Sequence, residues 1–187
     1  MSSSATRYTY DDLASFPDDK RYELIDGEAY VAAAPGTRHQ DIVLRLARRV
    51  ADHIDRAGGG RLFIAPYDVV LSPTDVVEPD LLFVADAGTG RITAANLQGP
   101  PTLAIEVLSD PRHDRVRKRR LYAAYGVPEY WVVDPDADRV EVYRLTGDHT
   151  GDHTGDHYPH PTILEPGETL TTALLPGLAV DLTRLLA

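Results

Sequence analysis

Three short apolar runs lie in the middle of the chain, at residues 81–84, 103–108 and 130–133. Their length and their content of β-branched residues are typical of strands that are buried on both faces of a sheet. A basic segment with helical periodicity, residues 113–125, separates the second run from the third. The order strand, helix, strand predicts a crossover between strands of a parallel or mixed sheet.

The pattern also predicts the elements before this centre. Residues 10–15 are expected to form a short helix, and residues 22–25 and 28–31 flank an Asp-Gly pair that is typical of a β-hairpin turn. A longer helix is expected over residues 37–56, beginning with a Thr-Arg-His-Gln sequence that matches a capping box. Its apolar face comprises Ile42, Val43, Leu46 and Val50, with His39 at the leading end.

The remaining segments are expected to be mainly β-structure. Residues 62–71 predict one strand, in which Pro66 indicates a bulge or an edge position. Residues 129–134 and 140–145 predict a hairpin, and residues 169–185 predict a last hairpin followed by a short helix.

Composition indicates one globular domain. The chain has 187 residues, of which 43% are hydrophobic and 26% are charged. We expect a flexible segment over residues 1–9 and a single domain over residues 10–187. Residues 147–157 repeat the unit Gly-Asp-His-Thr, whose Asp and His side chains could hold a metal loosely. The unit has no apolar residue to bury, so an exposed low-complexity loop is the favoured interpretation.

Charge and cysteine content exclude several functions. The chain has no cysteine, which excludes disulfides, thiolate metal sites and cysteine catalysis. The net charge of −10 argues against a broad electrostatic surface for nucleic acid, so such a contact needs a local basic patch. The N-terminus lacks the apolar core of a signal peptide, and no run approaches the roughly 20 apolar residues of a membrane span. We therefore expect a cytoplasmic protein with no membrane partner.

Two carboxylates are placed unusually in the apolar runs. Asp80 follows Pro79 at the head of the first run, and Glu106 lies inside the second. A carboxylate within a buried strand is unfavourable unless something compensates its charge, and a hard cation such as Mg²⁺ prefers oxygen ligands of this kind.

One lysine is separated from the other basic residues of the helical segment. Lys118 shares a helical face with Leu121 and Tyr122, and the apolar members predict that this face is buried. Asp114 lies four residues before Lys118, so the two also match an internal ion pair. Asp80, Glu106 and Lys118 together match the groups that activate water next to a phosphate.

Four stretches carry a resemblance to a known family. They read YELIDGEAYVAAAPGTRHQDIVLRLARRV, VVEPDLLFV, LAIEVLSDPRHDRVRKRRLYAAYGVPEYWVVDP and LLPGLAVDL. The chain resembles the PD-(D/E)XK nuclease superfamily and, more closely, its Uma2 branch of restriction endonucleases. The resemblance implies an α/β (α+β) fold with a restriction-endonuclease-like core, in which helices flank a central mixed β-sheet with additional β-hairpins.

The resemblance also implies residue roles for metal-dependent phosphodiester hydrolysis. Asp80 matches the Asp of the PD motif and Glu106 the acidic residue of the (D/E)XK motif, and both would bind Mg²⁺ or Mn²⁺. Leu108 stands where the superfamily has its lysine, and Lys118 on the following helix takes that position in the Uma2 branch. Supporting roles fall to Glu23 in the metal shell, His39 at the first long helix, Asp114 beside Lys118 and the backbone carbonyl of Val107.

The partner implied by the resemblance is nucleic acid, with DNA as the expected substrate and a homodimer as the expected assembly. A basic cluster would contact phosphates, unless it is only a solvated helix face: Arg112, Arg115, Arg117, Arg119 and Arg120. Two other interpretations stay open. The first is a nuclease fold that binds nucleic acid or protein without cutting, and the second is an oligomer subunit whose interface uses Trp131 and the tyrosines.

Overall fold

A computed structural model describes residues 7–32, 34–109, 115–145 and 157–187 of the chain. In chain order the strands are β1 (Tyr22–Ile25), β2 (Glu28–Val31), β3 (Gly60–Ile64), β4 (Asp68–Ser72), β5 (Asp75–Val77), β6 (Leu81–Ala85), β7 (Asn96–Gln98), β8 (Leu103–Val107), β9 (Glu129–Asp134), β10 (Arg139–Arg144), β11 (Thr162–Leu164), β12 (Thr169–Leu170) and β13 (Val180–Asp181). The α-helices are α1 (Thr37–Ala57), α2 (Arg115–Ala124) and α3 (Leu182–Leu186), and short 3₁₀ helices span Tyr10–Ser15 and Asp86–Arg91.

The apolar runs form the centre of a six-stranded mixed sheet with the order β11-β10-β9-β8-β6-β3. Strands β8 and β9 pair in parallel, and the other neighbours in this sheet pair antiparallel. Helix α2 connects β8 to β9. The predicted crossover is therefore confirmed, because a parallel pair needs a long connection that returns the chain to the same end.

A second sheet has the order β2-β1-β5-β4-β7, and β12 pairs with β13 in a separate small hairpin. The β1–β2 hairpin turns through Asp26 and Gly27, which have φ angles of 54° and 75°. Positive φ at both positions is what this turn type requires, so the hairpin prediction is confirmed. The mixed sheet with flanking helices and added hairpins matches the predicted fold class.

Strand alternation divides the six-stranded sheet between two cores. Leu81, Leu103, Ile105 and Trp131 belong to the core that also holds the apolar face of α1. The intervening positions belong to the core on the opposite face, with Tyr122 and Leu121 of α2. Because successive side chains of a strand point to opposite faces, Glu106 points away from Ile105 and toward the α2 side.

Helix α1 buries the predicted face, but its start differs from the prediction. Ile42, Leu46 and Val50 are buried, and Val43 packs partly buried against the same core. The N-cap is Gly36, and no side chain caps the helix. The capping-box prediction is wrong because Thr37 is already the first helical residue, where its hydroxyl is displaced from the capping position.

Residues 62–71 do not form the single strand that the apolar pattern predicted. Strand β3 pairs with β6 in the six-stranded sheet, whereas β4 pairs with β5 and β7 in the second sheet. Pro66 lies between β3 and β4 and has no N–H to continue a ladder. The proline marks the transfer of the chain between sheets and is not a bulge within one strand.

Several other expectations concern the chain ends and the surface. Residues 7–9, predicted to be flexible, are hydrogen-bonded: the Tyr8 N–H donates to the Gly27 carbonyl at 2.8 Å, and the Thr9 N–H donates to Asp12 Oδ2 at 2.7 Å. Trp131 is fully buried, so it supplies no interface area. The Gly-Asp-His-Thr tract lies outside the described residues, apart from His157. Within the described ranges, no helix is long and apolar enough to cross a membrane.

Candidate active site

The predicted site residues meet at a cavity of about 310 Å³ between the β1–β2 hairpin, α1, α2 and the ends of β6 and β8. The wall includes the following predicted residues: Glu23, His39, Asp80, Glu106, Val107 and Lys118. Apart from the adjacent pair Glu106 and Val107, each comes from a different part of the chain, and the strands and helices around the cavity bring them together. The structure therefore brings these six residues to one cavity, and their chemical roles stay predictions.

Asp80 and Glu106 are placed by strand pairing. Asp80 directly precedes β6, whose antiparallel pairing with β8 sets it beside the Glu106–Val107 end of that strand. The Val107 N–H donates to Asp80 Oδ2 at 2.8 Å. Among the described residues, both polar contacts of the Asp80 carboxylate use Oδ2, which leaves Oδ1 as an available oxygen donor.

Lys118 lies between two buried carboxylates. Its Nζ is 3.0 Å from Glu106 Oε1 and 2.9 Å from Glu23 Oε1. Relative exposures are 4% for Lys118, 5% for Glu23 and 8% for Glu106, so the contacts lie in a poorly solvated environment. The charge of the in-strand glutamate is thus compensated by an ammonium group of the chain, whereas the sequence argument assigned that compensation to a metal ion.

Helix α2 supplies a second group to the same carboxylate. Tyr122 lies one turn after Lys118, and its hydroxyl donates to Glu106 Oε1 at 3.0 Å. Burial, and then the charge of Glu106, raise the pKa of the Tyr122 hydroxyl well above its ordinary value. The hydroxyl consequently stays protonated, and it holds Glu106 in place by donating a hydrogen bond to its carboxylate.

His39 lies in the first turn of α1 and is buried. Its Nε2 is 3.1 Å from Asp80 Oδ2. Its Nδ1 is buried and has no hydrogen-bond partner among the described residues. A proton on Nε2 makes the ring a donor to Asp80 and leaves Nδ1 as an acceptor, which is the arrangement that orients a carboxylate.

Glu78 is a wall residue that the sequence argument missed. Its N–H donates to Glu23 Oε1 at 2.7 Å, and its carboxylate is 3.6 Å from Arg21. Burial, followed by the charge of Asp68, raises the pKa of Glu78 to about 7. The signal was its place two residues before Asp80, since alternate residues of an extended segment share a face.

The predicted arginine cluster divides among several environments. Arg117 lines the cavity, and its Cζ lies 4.0 Å from the centroid of the Tyr30 ring. Arg119 lies over Tyr143, at 5.6 Å from the ring centroid, and Arg120 is exposed. Arg112 and Asp114 lie outside the described residues, as does the side chain of Arg115. Of the side chains of this cluster that the structure describes, Arg117 is the one that lines the cavity, and Arg21, which is not part of the cluster, also lines it.

The ligand atoms that the cavity offers limit which metal ion it can bind. Within the described ranges, no group of three or more His, Asp and Glu side chains is arranged to hold a metal ion. The pair Asp80 and Glu106 offers carboxylate oxygens in a concave, partly polar space. Mg²⁺ is commonly bound through one or two carboxylates and keeps several of its waters, so two carboxylates fit such a hydrated ion.

Comparison with known proteins agrees with this architecture. No curated protein matches the chain. A crystal structure described as "a putative nuclease belonging to DUF820" from Anabaena variabilis ATCC 29413 superposes with a TM-score of 0.76 at 17% identity, covering 95% of this chain and 97% of the other. At this identity the likeness establishes a shared fold. The family profile named Uma2 and described as "Putative restriction endonuclease" matches residues 7–183, as the sequence resemblance predicted, and the chain belongs to this family.

Proposed function

We propose that the protein is a metal-dependent endonuclease that hydrolyses phosphodiester bonds of nucleic acid, with DNA as the substrate. The observation that carries the proposal is the Lys118 ammonium group, held 3.0 Å from Glu106 in the cavity that Asp80 also lines. Two strand-end carboxylates beside a buried ammonium group are the parts that phosphodiester hydrolysis needs. Membership of a family described as "Putative restriction endonuclease" supports the same reaction class.

The metal would be held by Asp80 and Glu106, with the backbone carbonyl of Val107 as a further oxygen donor, and would be Mg²⁺ or Mn²⁺. When bound, such an ion polarises a phosphoryl oxygen and lowers the pKa of a bound water. Asp80 is prepared for this role because His39 and the Val107 N–H fix its Oδ2.

The chain's own groups orient the reactants. Lys118 is held by Glu23 and Glu106, so its ammonium charge is fixed in the cavity wall without further loss of side-chain entropy. A fixed ammonium group orients the attacking water and stabilises the negative charge that develops on the phosphate oxygens. Tyr122 holds Glu106 in place through its hydroxyl. The low exposure of this group of side chains limits access of bulk water.

A cleavage assay tests the proposal. Supercoiled plasmid, single-stranded circular DNA and RNA are incubated with the purified protein in Mg²⁺, Mn²⁺ or EDTA. We expect cleavage that requires the divalent ion and is lost in Asp80→Asn and Glu106→Gln. Asp75→Asn is the matched control, because Asp75 is also a buried acid but contacts Tyr125 and Ser72 outside the cavity. Equal cleavage by all four proteins would identify a contaminating nuclease and overturn the proposal.

The second candidate is a module that binds nucleic acid or protein without cutting it. The observation in its favour is that the Lys118 ammonium group lies 2.9 Å from Glu23 and 3.0 Å from Glu106, so part of the negative charge in the cavity is compensated without a metal ion. Calorimetric titration with Mn²⁺ separates the two functions. An enzyme binds the ion and loses binding in Asp80→Asn, whereas a non-cutting module shows no binding in either protein.

Assembly and location complete the proposal. We propose a cytoplasmic homodimer, as implied by the resemblance to nucleases in which two sites meet two strands. Light scattering measures the assembly directly. If the protein is a monomer that nicks one strand, the proposed hydrolysis stands and only the proposed dimer is wrong.

A further inference from the structure

Tyr30 and Arg117 form a pair in the cavity wall that the proposed hydrolysis does not use. Tyr30 in β2 pairs with Glu23 in β1 in antiparallel register. Side chains of directly paired residues project from the same face of a hairpin. Tyr30 therefore lies beside the carboxylate that holds Lys118.

The Tyr30 ring supports the Arg117 guanidinium group. The distance of 4.0 Å between Arg117 Cζ and the ring centroid is that of a cation–π contact. A guanidinium group that stacks through its face keeps its N–H donors free at its edge, where they match the oxygens of a phosphate. Among the described residues, no carboxylate forms an ion pair with Arg117, so its donors are not committed to an acid.

The charge of the protein makes such a local cation significant. A net charge of −10 gives no general attraction for a polyanion. Among the described residues of the cavity wall, the cations are Arg21, Arg117 and Lys118. Lys118 is engaged by two glutamates, and Arg21 lies 3.6 Å from Glu78. Of these three described cations, Arg117 is the one that no described carboxylate pairs with.

The shape of the cavity restricts the form of the strand. Glu23, Glu106 and Lys118 are each at most 8% exposed, at the bottom of a space of about 310 Å³. A phosphodiester that reaches them must leave the regular path of its strand. Unstacking and unpairing a nucleotide costs a few kcal/mol in a duplex and least in a strand that is already single.

We propose that Arg117, supported by Tyr30, binds the phosphate next to the scissile one, and that the site accepts unpaired strands in preference to closed duplex. This inference rests on the proposed nuclease function and specifies its substrate. Arg117 is the substrate-binding residue, and Tyr30 is a positioning residue that acts through it.

A binding assay without cleavage tests the preference. A fluorescein-labelled single-stranded oligonucleotide and the blunt duplex of the same sequence are titrated with protein in Ca²⁺ at fixed salt, and Kd is read from anisotropy. We expect the single strand to bind about tenfold more tightly than the duplex, since only the duplex has to be unpaired. Equal or tighter binding of the duplex would overturn the proposal.

Variants test the two residues separately. Arg117→Lys keeps the charge but loses the planar donors, and Tyr30→Leu removes the ring, so each is expected to weaken single-strand binding about tenfold. Tyr30→Phe keeps the ring and is expected to restore the wild-type Kd. Arg61→Lys is the matched control, because Arg61 makes the same kind of contact with Phe63 in β3, at 5.1 Å from the ring centroid and outside the cavity wall. A Kd that is unchanged in Arg117→Lys and Tyr30→Leu, or equally changed in Arg61→Lys, would refute the assignment.

Cleavage kinetics separate this proposal from the proposed function. If the wild type cuts the single strand in Mg²⁺, Arg117→Lys and Tyr30→Leu are expected to raise KM about tenfold with little change in kcat. Cleavage with wild-type kinetics in both variants refutes the inference and leaves the nuclease function standing. Binding with the expected pattern but no cleavage supports the assignment of Arg117 and overturns the hydrolysis.

Discussion

Two buried glutamates of the six-stranded sheet have opposite surroundings. Glu129 in β9 is enclosed: its carboxylate accepts hydrogen bonds from Trp131 Nε1 at 2.5 Å, Thr172 Oγ1 at 3.0 Å and Arg144 Nε at 3.1 Å. Glu106 in the neighbouring strand β8 contacts Lys118 and Tyr122 and lines the cavity. Burial alone therefore does not separate a carboxylate enclosed by fixed partners from one that borders a cavity.

The partners explain the difference. The donors to Glu129 come from its own strand, from β10 and from the segment before β13, so the carboxylate fastens the C-terminal part of the chain to the sheet. Glu106 instead faces a space that can admit a ligand, and its cationic partner is a lysine shared with Glu23. A carboxylate with fixed partners and adjacent free volume is the arrangement that can change its contacts during a reaction.

The largest expected effect is on cleavage, at the cavity. Lys118→Met removes the ammonium group while keeping the length of the side chain, and we expect cleavage to fall about a hundredfold or more. Initial rates on plasmid in Mg²⁺ measure the change, with thermal unfolding as the check on folding. If the variant lost stability but kept full activity per folded molecule, Lys118 would have only a structural role, like that of Arg144 beside Glu129. The proposed difference between Glu106 and Glu129 would then be wrong.

The enclosed cluster is expected to show the reverse behaviour. Glu129→Ala leaves the Trp131 and Thr172 donors buried without their acceptor, and we expect the free energy of unfolding to fall by about 2–3 kcal/mol. Urea denaturation measures this change. Cleavage per folded molecule should equal that of the wild type, and a selective loss of kcat would contradict the structural role of Glu129.

The pH dependence of stability tests Glu78, a carboxylate of the cavity wall. The pKa of Glu78 is raised from 4.5 to about 7 in the folded protein. Between these pH values the folded protein binds more protons than the unfolded chain, so its stability falls as the pH rises from 4.5 to about 7. Glu78→Gln cannot ionise, and we expect it to exceed the wild type by about 1–2 kcal/mol at pH 8. The difference should vanish below pH 4.5.

Urea denaturation at both pH values, in EDTA, measures the Glu78 effect. Glu28→Gln is the control, since Glu28 is an exposed acid in β2 that does not line the cavity, and an equal pH-dependent difference in this variant would contradict the assignment to Glu78. A Glu78→Gln variant that is less stable than the wild type at pH 8 would mean that the ionised carboxylate is favourable through Arg21.

The smallest effects come from single hydroxyl groups. Tyr122→Phe and Thr172→Ala each remove one hydrogen bond to a buried glutamate, and we expect each to lower the free energy of unfolding by about 1 kcal/mol. Only Tyr122→Phe should also lower kcat, because Glu106 then loses one of its fixing contacts. Equal kinetics in the two variants would show that the position of Glu106 does not depend on Tyr122.

The sequence predicted the fold well in segments whose apolar residues recur with a single period. The buried runs, the β1–β2 hairpin and the inward face of α2 are local patterns of period two or 3.6, and the structure confirms them. Residues 62–71 were misread because an apolar pattern does not tell which sheet a strand joins. The division at Pro66 depends on partners, β6 and β5, that lie farther along the chain.

The sequence was sufficient to predict the acids and the lysine of the site, but not the residues that surround them. Asp80 and Glu106 stand out in sequence because a charge interrupts an apolar run, and Lys118 because it shares a face with apolar residues. The raised pKa of Glu78 and the Tyr30–Arg117 contact arise from residues distant in sequence that burial brings together. The chemical roles of the convergent residues stay predictions until the cleavage and titration assays are done.

The chain crosses from one sheet to the other between β5 and β6, and the crossing segment carries Glu78 and Asp80. The carboxylates around Lys118 are therefore anchored in different sheets, with Glu23 in one and Glu106 in the other. Separating the two sheets would pull apart the two counter-charges of one lysine, so this arrangement of charges exists only when both sheets are packed together.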